Sequence, residues 1–324
     1  MRNVSLLLES WPTQSPFSTA VRTVTEAQVL TVTLSEQGAM GRGEASGIHY
    51  LGETAESLLA QAESVKTSLQ QGIGREQLRT LLPAGGARNA IDCALWDLEA
   101  KLKDKTIWDL TVIEPGETHT VYTVSVSTPE AMAATAINLD TPKIKVKLDG
   151  DQPLACIEAI CAVRPDAEIV VDVNQGWTFE QLVELAPELK RLGILMIEQP
   201  LPRGADTELE GYQSPLPLCA DESCLDTSEL EQAARRYQMI NIKLDKTGGL
   251  TEALELAQQA KAMGLGLMVG NMLGTSLAMA PAFVVAQLCQ LADLDGPVLL
   301  KNDRTYAMTY ANGLVSLPRT ELWG

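Results

Sequence analysis

Short runs of β-branched and other apolar residues alternate with helix-like stretches through most of the chain. The runs begin about 25 residues apart, which is the length of one strand–helix unit. They lie at residues 121–126, 144–148, 169–173, 195–197, 218–220, 239–242, 265–269 and 291–294. Alternating strands and helices indicate a parallel sheet, and eight units indicate a closed (β/α)8-type barrel. The eighth strand leaves too few residues for a full helix before the pattern returns to β after Gly296.

The residues before the barrel show a different pattern, which is typical of a small α+β domain. A β-rich run at 29–34 is followed by a turn at Gln37-Gly38 and a second run at 40–44, so we expect an antiparallel meander. Apolar residues at helical spacing then predict a helix over 88–105: Ile91, Leu95, Leu98 and Leu102.

Turn signals divide the chain into three parts. We expect an N-terminal α+β capping domain over 1–116, because Pro115-Gly116 breaks the helical pattern. The barrel is then expected over 117–297. A C-terminal segment over 298–324 carries a two-residue hairpin signal at Asn312-Gly313, and we expect it to return to the capping domain.

Composition and charge exclude several classes of function. With 25 basic and 42 acidic side chains the formal net charge is −17, which argues against binding to nucleic acid or to an anionic membrane. No apolar run reaches the roughly 18 residues of a membrane span, and the first run is too short for a signal peptide. The six cysteines show no C-x-x-C spacing and indicate reduced thiols. We therefore expect a cytoplasmic protein.

Carboxylates follow three successive strands of the predicted barrel. Asp172, Glu198 and Asp221 end the third, fourth and fifth strands, at the face of a barrel where active sites form. Adjacent strands lie roughly 4.8 Å apart, so these like charges need a cation to remain ionised together. Oxygen ligands favour Mg²⁺, and two histidines are too few for a His-rich zinc site. The alternative is three unrelated acids that cap the following helices.

Lysines lie on both sides of this acidic arc. Lys145 and Lys147 are two residues apart on the second strand and point to the same side, whereas Lys243 lies on the sixth strand, across the barrel mouth. A lysine in such a place can act as a general base. Two of them could remove a proton from one face of a substrate and return one to the other. The alternative is a solvated edge strand, but a central parallel strand is covered on both faces.

Lysine bases and a metal site together indicate a substrate with a carboxylate. Removing a proton next to a carboxylate creates an enediolate dianion, which requires a preorganised countercharge. Enolase-type sites combine a lysine or histidine base with Mg²⁺ in this way.

With these residues the chain resembles the enolase superfamily, in its branch with a Lys-x-Lys strand. The matching pieces are Lys145-Val146-Lys147-Leu148, Asp172-Val173-Asn174, Glu198-Gln199-Pro200, Ala220-Asp221-Glu222-Ser223, Asn241-Ile242-Lys243-Leu244 and Lys246-Thr247-Gly248-Gly249. Gly43-Glu44-Ala45 and residues 87–98 are similar to that family's capping domain. The resemblance implies that Lys147 and Lys243 are the acid/base catalysts and that Lys145 lowers the pKa of its neighbour. It also implies that Asp172, Glu198 and Asp221 hold one Mg²⁺ per subunit.

The eighth strand narrows the resemblance to one branch. Asp293-Leu294-Asp295 is similar to the Asp-x-Asp of the dipeptide epimerases, where the pair binds the free ammonium group of the substrate. The implied reaction interconverts L-Ala-D-Glu, released from murein peptides, with L-Ala-L-Glu by two-base proton transfer at the Glu α-carbon. The implied partner is this small dipeptide, and a homo-oligomer is compatible with the sequence.

Two loops complete the expected site. Arg22 matches a flexible capping-loop arginine that pairs with the side-chain carboxylate of the substrate, although a surface arginine is the alternative. By the same resemblance, residues 270–275 lie in a region that touches the substrate in the family. The polar residues of this stretch differ from those of other family members.

Other functions remain as alternatives. A cycloisomerase, an o-succinylbenzoate synthase or an N-acylamino acid racemase also uses two lysines and three carboxylates, but its substrate has no ammonium group for Asp293 and Asp295. A His–Asp dehydratase is disfavoured because no histidine follows His119. A Schiff-base lyase and a barrel that binds peptides without turnover are the remaining candidates.

Overall fold

The computed structural model describes residues 1–18 and 23–324, and its N-terminal part is built on an antiparallel sheet. The sheet order is β1-β2-β3, with β1 (Asn3–Ser18), β2 (Thr23–Glu36) and β3 (Ala39–Ala45). Gln37 and Gly38 form the turn between β2 and β3, with φ values of 52° and 85°. Positive φ at both positions gives the two-residue turn that matches the twist of the strands. The predicted meander is confirmed.

Helices cover one face of this sheet. In the described chain they are α1 (Ala55–Ser64), α2 (Lys66–Gln70), α3 (Arg75–Leu81), α4 (Gly86–Leu102) and α5 (Ile107–Thr111), with a 3₁₀ turn at His49–Leu51. Helix α4 is the one predicted over 88–105. Leu30, Val32 and Leu34 alternate along β2 and pack against α4, whereas Cys93 and Trp96 on its other face join the core of the barrel. Helix α4 is therefore buried between the two parts of the fold.

Glycines in β3 allow the sheet to approach α4 closely. A Cβ atom at Gly43 would lie 2.1 Å from the carbonyl oxygen of Ala90, and one at Gly41 would lie 2.3 Å from that of Ala94. We expect Gly43→Ala to lower the free energy of unfolding by about 1–3 kcal/mol, because the helix backbone must move away. Urea denaturation would measure this. Met40→Ala is the control on the same strand: Met40 is half exposed, and a change within about 0.5 kcal/mol is expected. Equal stability of Gly43→Ala and the parent chain would contradict the close approach.

Eight parallel strands, all within the described chain, form the barrel sheet. They are β5 (Tyr122–Val124), β6 (Lys143–Lys147), β7 (Glu168–Asp172), β8 (Ile197–Glu198), β9 (Leu218–Ala220), β10 (Met239–Lys243), β11 (Gly266–Gly270) and β12 (Leu291–Ala292). They are paired in sequence order, and a bridge between Thr120 and Ala292 joins the two edges. The predicted α/β fold, an enolase-like barrel with an N-terminal capping domain, is confirmed.

Most of the barrel helices follow the strands as predicted. They are α6 (Pro129–Ala136), α7 (Pro153–Val163), α8 (Phe179–Arg191), α9 (Leu230–Arg236), α10 (Leu244–Thr247), α11 (Leu250–Ala262), α12 (Ser276–Ala286) and α13 (Gly296–Leu299). Strand β8 is followed only by a 3₁₀ turn at Thr207–Leu209, and another precedes α9 at Thr227–Glu229. As expected, the helix after β12 is short. In the part of the chain described, no helix is both long and apolar enough to cross a membrane.

The C-terminal residues contact both parts of the fold. Strands β13 (Tyr310–Ala311) and β14 (Leu314–Val315) form the predicted hairpin, and β14 pairs with β4 (Thr118–His119) beside the barrel. Farther along, the amide of Gly324 donates to Asp97 Oδ1 of α4 at 2.7 Å. The domain boundaries at 116 and 297 stay a prediction.

Candidate functional site

A cavity of about 360 Å³ opens at the carboxyl ends of the barrel strands, beneath the capping domain. The residues that line it from the capping domain are Val24, Ser46, Gly47, His49 and Tyr50. The charged residues that line it from the barrel are Lys145, Lys147, Asp221, Glu222, Lys243, Asp293 and Asp295. The structure thus brings most of the predicted site residues to one cavity.

Strand register places the predicted residues side by side. Lys147 pairs with Asp172 across β6 and β7, and Asp172 pairs with Glu198 across β7 and β8. Asp221 directly follows the last residue of β9. Asp172, Glu198 and Asp221 are almost completely buried, with at most 1% of their surface exposed.

Lys145 is the hub of the buried charges. Its Nζ atom lies 2.9 Å from Asp172 Oδ2, 2.8 Å from Glu198 Oε2 and 2.8 Å from Asp293 Oδ2. Burial alone would lower the pKa of Lys145, but these three carboxylates outweigh it and raise the pKa well above its usual value. Lys145 is therefore charged at any physiological pH.

The two predicted catalytic lysines reach the cavity from opposite strands. Lys147 lies on β6 and Lys243 on β10, which are four strands apart in a sheet of eight. Lys147 donates to Asp172 Oδ2 at 2.6 Å and to Asn174 Oδ1 at 3.0 Å, while Lys243 donates to Asp221 Oδ2 at 2.7 Å. Both residues are buried, with 7–8% of their surface exposed. A ligand between the two ammonium groups would present one face to each.

The same ion pairs set the pKa of the groups around the cavity. Burial disfavours the carboxylate of Asp172, but Lys145 and Lys147 outweigh it and lower the pKa to about 2. Lys243 and Lys246 likewise overcome burial and lower the pKa of Asp221. Burial would lower the pKa of Lys243, yet Asp221 raises it, and the charge of Lys145 opposes that rise. These ion pairs thus favour the charged forms of Asp172, Asp221 and Lys243.

The chemistry of the three strand-end acids fits a hard cation. Their oxygens are the donors that Mg²⁺ prefers, on three neighbouring strands. Glu198 Oε2 is buried and has an ion pair with Lys145 but no hydrogen bond. Each acid faces a lysine, and among the described residues no three side chains of His, Cys, Asp or Glu are already grouped to hold a metal ion. The residues suit such an ion, Lys145 lies between two of them, and their role as metal ligands stays a prediction.

Three buried side chains to which the sequence analysis gave no role hold the strand-end acids Asp221 and Glu198 in place. Lys246 donates to Asp221 Oδ1 at 2.8 Å and to three carbonyl oxygens, those of Asp221, Cys224 and Asn241. Gln199 Oε1 accepts the amide of Asp221 at 3.0 Å, and Asn241 donates to Glu198 Oε1 at 2.8 Å. All three residues are fully buried, and the signal for them in the sequence was their place in the motifs that resemble the family.

The two acids after β12 differ in their partners. Asp293 Oδ2 pairs with Lys145, while its Oδ1 is buried without a hydrogen bond in the described structure. Asp295 Oδ2 accepts the amide of Thr123 at 2.8 Å. Burial and the nearby Asp293 raise the pKa of Asp295 to about 7. Both acids line the cavity, as predicted.

Two residues that the sequence analysis did not assign to the site also line the cavity, Tyr50 and Glu222. In the described structure Tyr50 Oη and Glu222 Oε2 are buried without hydrogen-bond partners. The predicted Arg22 lies outside the described residues. Asn271, Met272 and Leu273 also line the cavity, which places the predicted 270–275 loop at its wall.

Comparison with known proteins identifies the family. Residues 130–321 match the family described as Enolase C-terminal domain-like, and residues 1–111 match the Mandelate racemase / muconate lactonizing enzyme N-terminal domain. The chain belongs to the enolase superfamily. The predicted family is confirmed.

Similar proteins in this superfamily include epimerases and a racemase. L-Ala-D/L-Glu epimerase of Escherichia coli (strain K12) is 44% identical over 321 residues, covering 98% of this chain and all of the relative. N-acetyl-D-glutamate racemase of Pseudoalteromonas sp. is 45% identical over 249 residues, covering 76% of this chain and 79% of the relative.

Solved structures with a similar fold include further members of this superfamily. An enolase family member from Agrobacterium tumefaciens, with homology to dipeptide epimerases and with bound sodium and L-Ala-L-Glu, is 40% identical, with a TM-score of 0.97 over both full chains. A dipeptide epimerase from Methylococcus capsulatus, complexed with Mg and L-Arg-D-Lys, is 28% identical, with a TM-score of 0.88. That comparison covers 97% of this chain and 96% of the other.

Proposed function

We propose that the protein epimerises L-Ala-D-Glu and L-Ala-L-Glu at the α-carbon of the Glu residue. The observation that carries this proposal is the pair of lysines, Lys147 and Lys243, which face one cavity from opposite strands. A relative named L-Ala-D/L-Glu epimerase and a similar solved structure with bound L-Ala-L-Glu support the choice of substrate. Recycling of murein peptides in the cytoplasm is the setting that we propose for it.

Lys147 and Lys243 have opposite roles in the proton transfer. One of them, as the neutral amine, removes the α-proton from one face of the substrate, and the other, as the ammonium, delivers a proton to the opposite face. For the reverse direction they exchange roles. Lys145 keeps a positive charge between Asp172, Glu198 and Asp293, and this charge opposes the ammonium form of Lys243.

Asp172, Glu198 and Asp221 would hold one Mg²⁺. When bound, Mg²⁺ would supply the positive charge that stabilises the negative charge developing on the α-carboxylate of the substrate. In this structure the same three acids are in contact with Lys145, Lys147 and Lys243. A Mg-complexed dipeptide epimerase among the relatives supports the choice of ion.

Asp293 and Asp295 would bind the ammonium group of the N-terminal residue. Both line the cavity beside Lys145, so the ammonium group and the reacting carbon would lie in one chamber. The role of Arg22 toward the side-chain carboxylate of the substrate remains a prediction.

Deuterium exchange tests the proposed reaction directly. Incubation of L-Ala-L-Glu with the protein and Mg²⁺ in D₂O should place deuterium at the Glu α-carbon while L-Ala-D-Glu forms, as NMR and chiral chromatography would detect. A sample treated with EDTA is the control and should be inactive. Absence of exchange with any dipeptide would refute the proposal.

Racemisation of N-acyl glutamate is the second candidate. It is favoured by the partners of the two acids: Asp293 already has an ion pair with Lys145, and the pKa of Asp295 is raised to about 7 by burial and by Asp293. The pair therefore does not require a substrate ammonium group. Faster exchange with N-acetyl-L-glutamate than with L-Ala-L-Glu would support this candidate.

Asp295→Asn tests the ammonium site. The side-chain oxygen of the new asparagine can still accept the Thr123 amide. Its side-chain NH₂ group would then face the ammonium group of the substrate. We expect the preference for L-Ala-L-Glu over the N-acetylated dipeptide to fall by about 10²-fold, measured as the ratio of kcat/KM values. Asp140→Asn, which is outside the cavity, should keep the preference. An unchanged ratio in Asp295→Asn would show that this carboxylate does not bind the ammonium group.

A further inference from the structure

A buried group of charges joins the capping domain to the barrel loop that walls the cavity. Glu44 on β3 is 1% exposed. Its Oε1 accepts the amide of Thr275 at 2.8 Å, and its Oε2 accepts the hydroxyl of Thr275 at 2.5 Å. Thr275 caps α12 and ends the loop of residues 271–275. The carboxylate of one domain therefore holds the end of a loop in the other.

Arg304, in the C-terminal segment, ties this contact to the rest of the sheet. It donates to Glu44 Oε2 at 2.6 Å, to Glu9 Oε2 on β1 at 2.7 Å and to Thr31 Oγ1 on β2 at 2.9 Å. Its Nε atom also lies 3.1 Å from Thr275 Oγ1. One guanidinium thus links all three strands of the capping sheet to the loop.

The loop carries this connection to the cavity. Asn271 donates to the carbonyl oxygen of Asp293 at 2.6 Å. Leu273 lines the cavity and packs against a small apolar cluster of Ala27, Val29 and Leu300. A movement of Thr275 would therefore shift both the cavity wall and the backbone of Asp293.

We infer that Glu44 and Arg304 are positioning residues that set the 271–275 loop, and through it the part of the cavity that receives the N-terminal residue of the dipeptide. This inference rests on the proposed function. Neither residue lines the cavity, so both act through Thr275, Leu273 and Asn271. Close-packed cores and interfaces change between discrete arrangements. Loss of the contact between Glu44, Arg304 and Thr275 is therefore expected to move the 271–275 loop to a new position, not only to increase its mobility.

Glu44→Gln is the first test. All the groups that contact Glu44 are donors, so the NH₂ group of a glutamine would face the amide of Thr275 or the guanidinium of Arg304. We expect the KM for L-Ala-L-Glu to rise about 10-fold while kcat changes less than about threefold, because substrate placement is affected and the lysines are not. The preference for L-Ala-L-Glu over the bulkier L-Leu-L-Glu should fall.

A pair of substitutions at Thr275 is the second test, and because its hydroxyl also accepts the Leu277 amide at the start of α12, urea denaturation of both variants accompanies the assays. Thr275→Val removes the hydroxyl at constant shape and should raise KM in the same way, whereas Thr275→Ser keeps the hydroxyl and should restore the parent values. Arg42→Met is the matched control: Arg42 links the capping domain to the carbonyl oxygens of Glu321 and Leu322 and does not contact the loop. It should leave KM and the preference unchanged.

Hydrogen exchange provides a readout that does not depend on activity. The Thr275 amide should exchange faster in Glu44→Gln than in the parent chain and in Arg42→Met. Parent-like KM, preference and exchange in Glu44→Gln and Thr275→Val would overturn the inference. So would equal losses of kcat in all variants, which would indicate a structural role only. Failure of the parent chain to turn over any dipeptide would instead refute the proposed function, and the exchange result would still stand.

Discussion

Replacing Lys243 by alanine should abolish epimerisation, and replacing Lys147 should do the same. Each substitution removes one of the two groups that transfer a proton, so we expect kcat to fall by about 10²–10⁴-fold or more in either direction. Exchange of the α-proton with D₂O distinguishes the two lysines better than the rate of epimerisation does. A protein with one remaining lysine can still exchange with D₂O the α-proton of the epimer that faces that lysine. We therefore expect Lys147→Ala and Lys243→Ala to deuterate opposite epimers, as NMR of L-Ala-L-Glu and L-Ala-D-Glu would detect.

Lys143→Ala provides the control on the same strand. Lys143 belongs to the same run of alternating lysines, but it pairs with Glu168 at 3.5 Å and does not line the cavity. Its removal should leave both epimerisation and exchange intact. If both catalytic variants deuterated the same epimer, the two-face assignment would be wrong, even if both lost epimerisation.

Lys246→Met should cost stability and activity together. The ammonium group of Lys246 is completely buried, and its loss leaves one oxygen of Asp221 and three carbonyl oxygens without their donor. Breaking a buried pair in this way costs about 3–5 kcal/mol of the free energy of unfolding. Asp221 would lose one of its two cationic partners, so we expect activity to fall at least about 10²-fold, because a small misplacement of such a group is costly.

Urea denaturation and assays at a temperature where the variant is folded would separate the two effects of Lys246→Met. Lys103→Met is the control, since Lys103 is mostly exposed and pairs with Glu99 on the surface. A surface pair of this kind contributes about 0–1 kcal/mol. A Lys246→Met protein as stable and as active as the parent would show that the buried ammonium is dispensable.

Much of the fold was predictable because local patterns carry it. The eight strand runs, the turn at Gln37-Gly38 and the hairpin at Asn312-Gly313 all depend on residues close together in the chain. The helix predicted over 88–105 also formed, but its apolar spacing did not reveal that it would be buried on both sides. That outcome depends on the barrel that packs against it, through Cys93 and Trp96.

The candidate site was predictable in its members but only partly in its contacts. Lys145, Lys147, Asp221, Lys243, Asp293 and Asp295 could be named because they sit at or next to the carboxyl ends of predicted strands, and all of them line one cavity. Pairing of Lys145 with Asp293 joins residues 148 positions apart, and no local pattern indicates it. Which lysine each strand-end acid meets was equally unpredictable, because these contacts join different strands.

By itself, the sequence determined the order of strands and helices, the types of residue at the strand ends and the family, since these follow from spacing along the chain. The tertiary structure decided which charges neutralise one another, how Lys246 and Gln199 hold Asp221, and how Glu44 and Arg304 reach the loop at Thr275. These contacts join distant segments, and their energies depend on burial. Only the folded chain therefore establishes them.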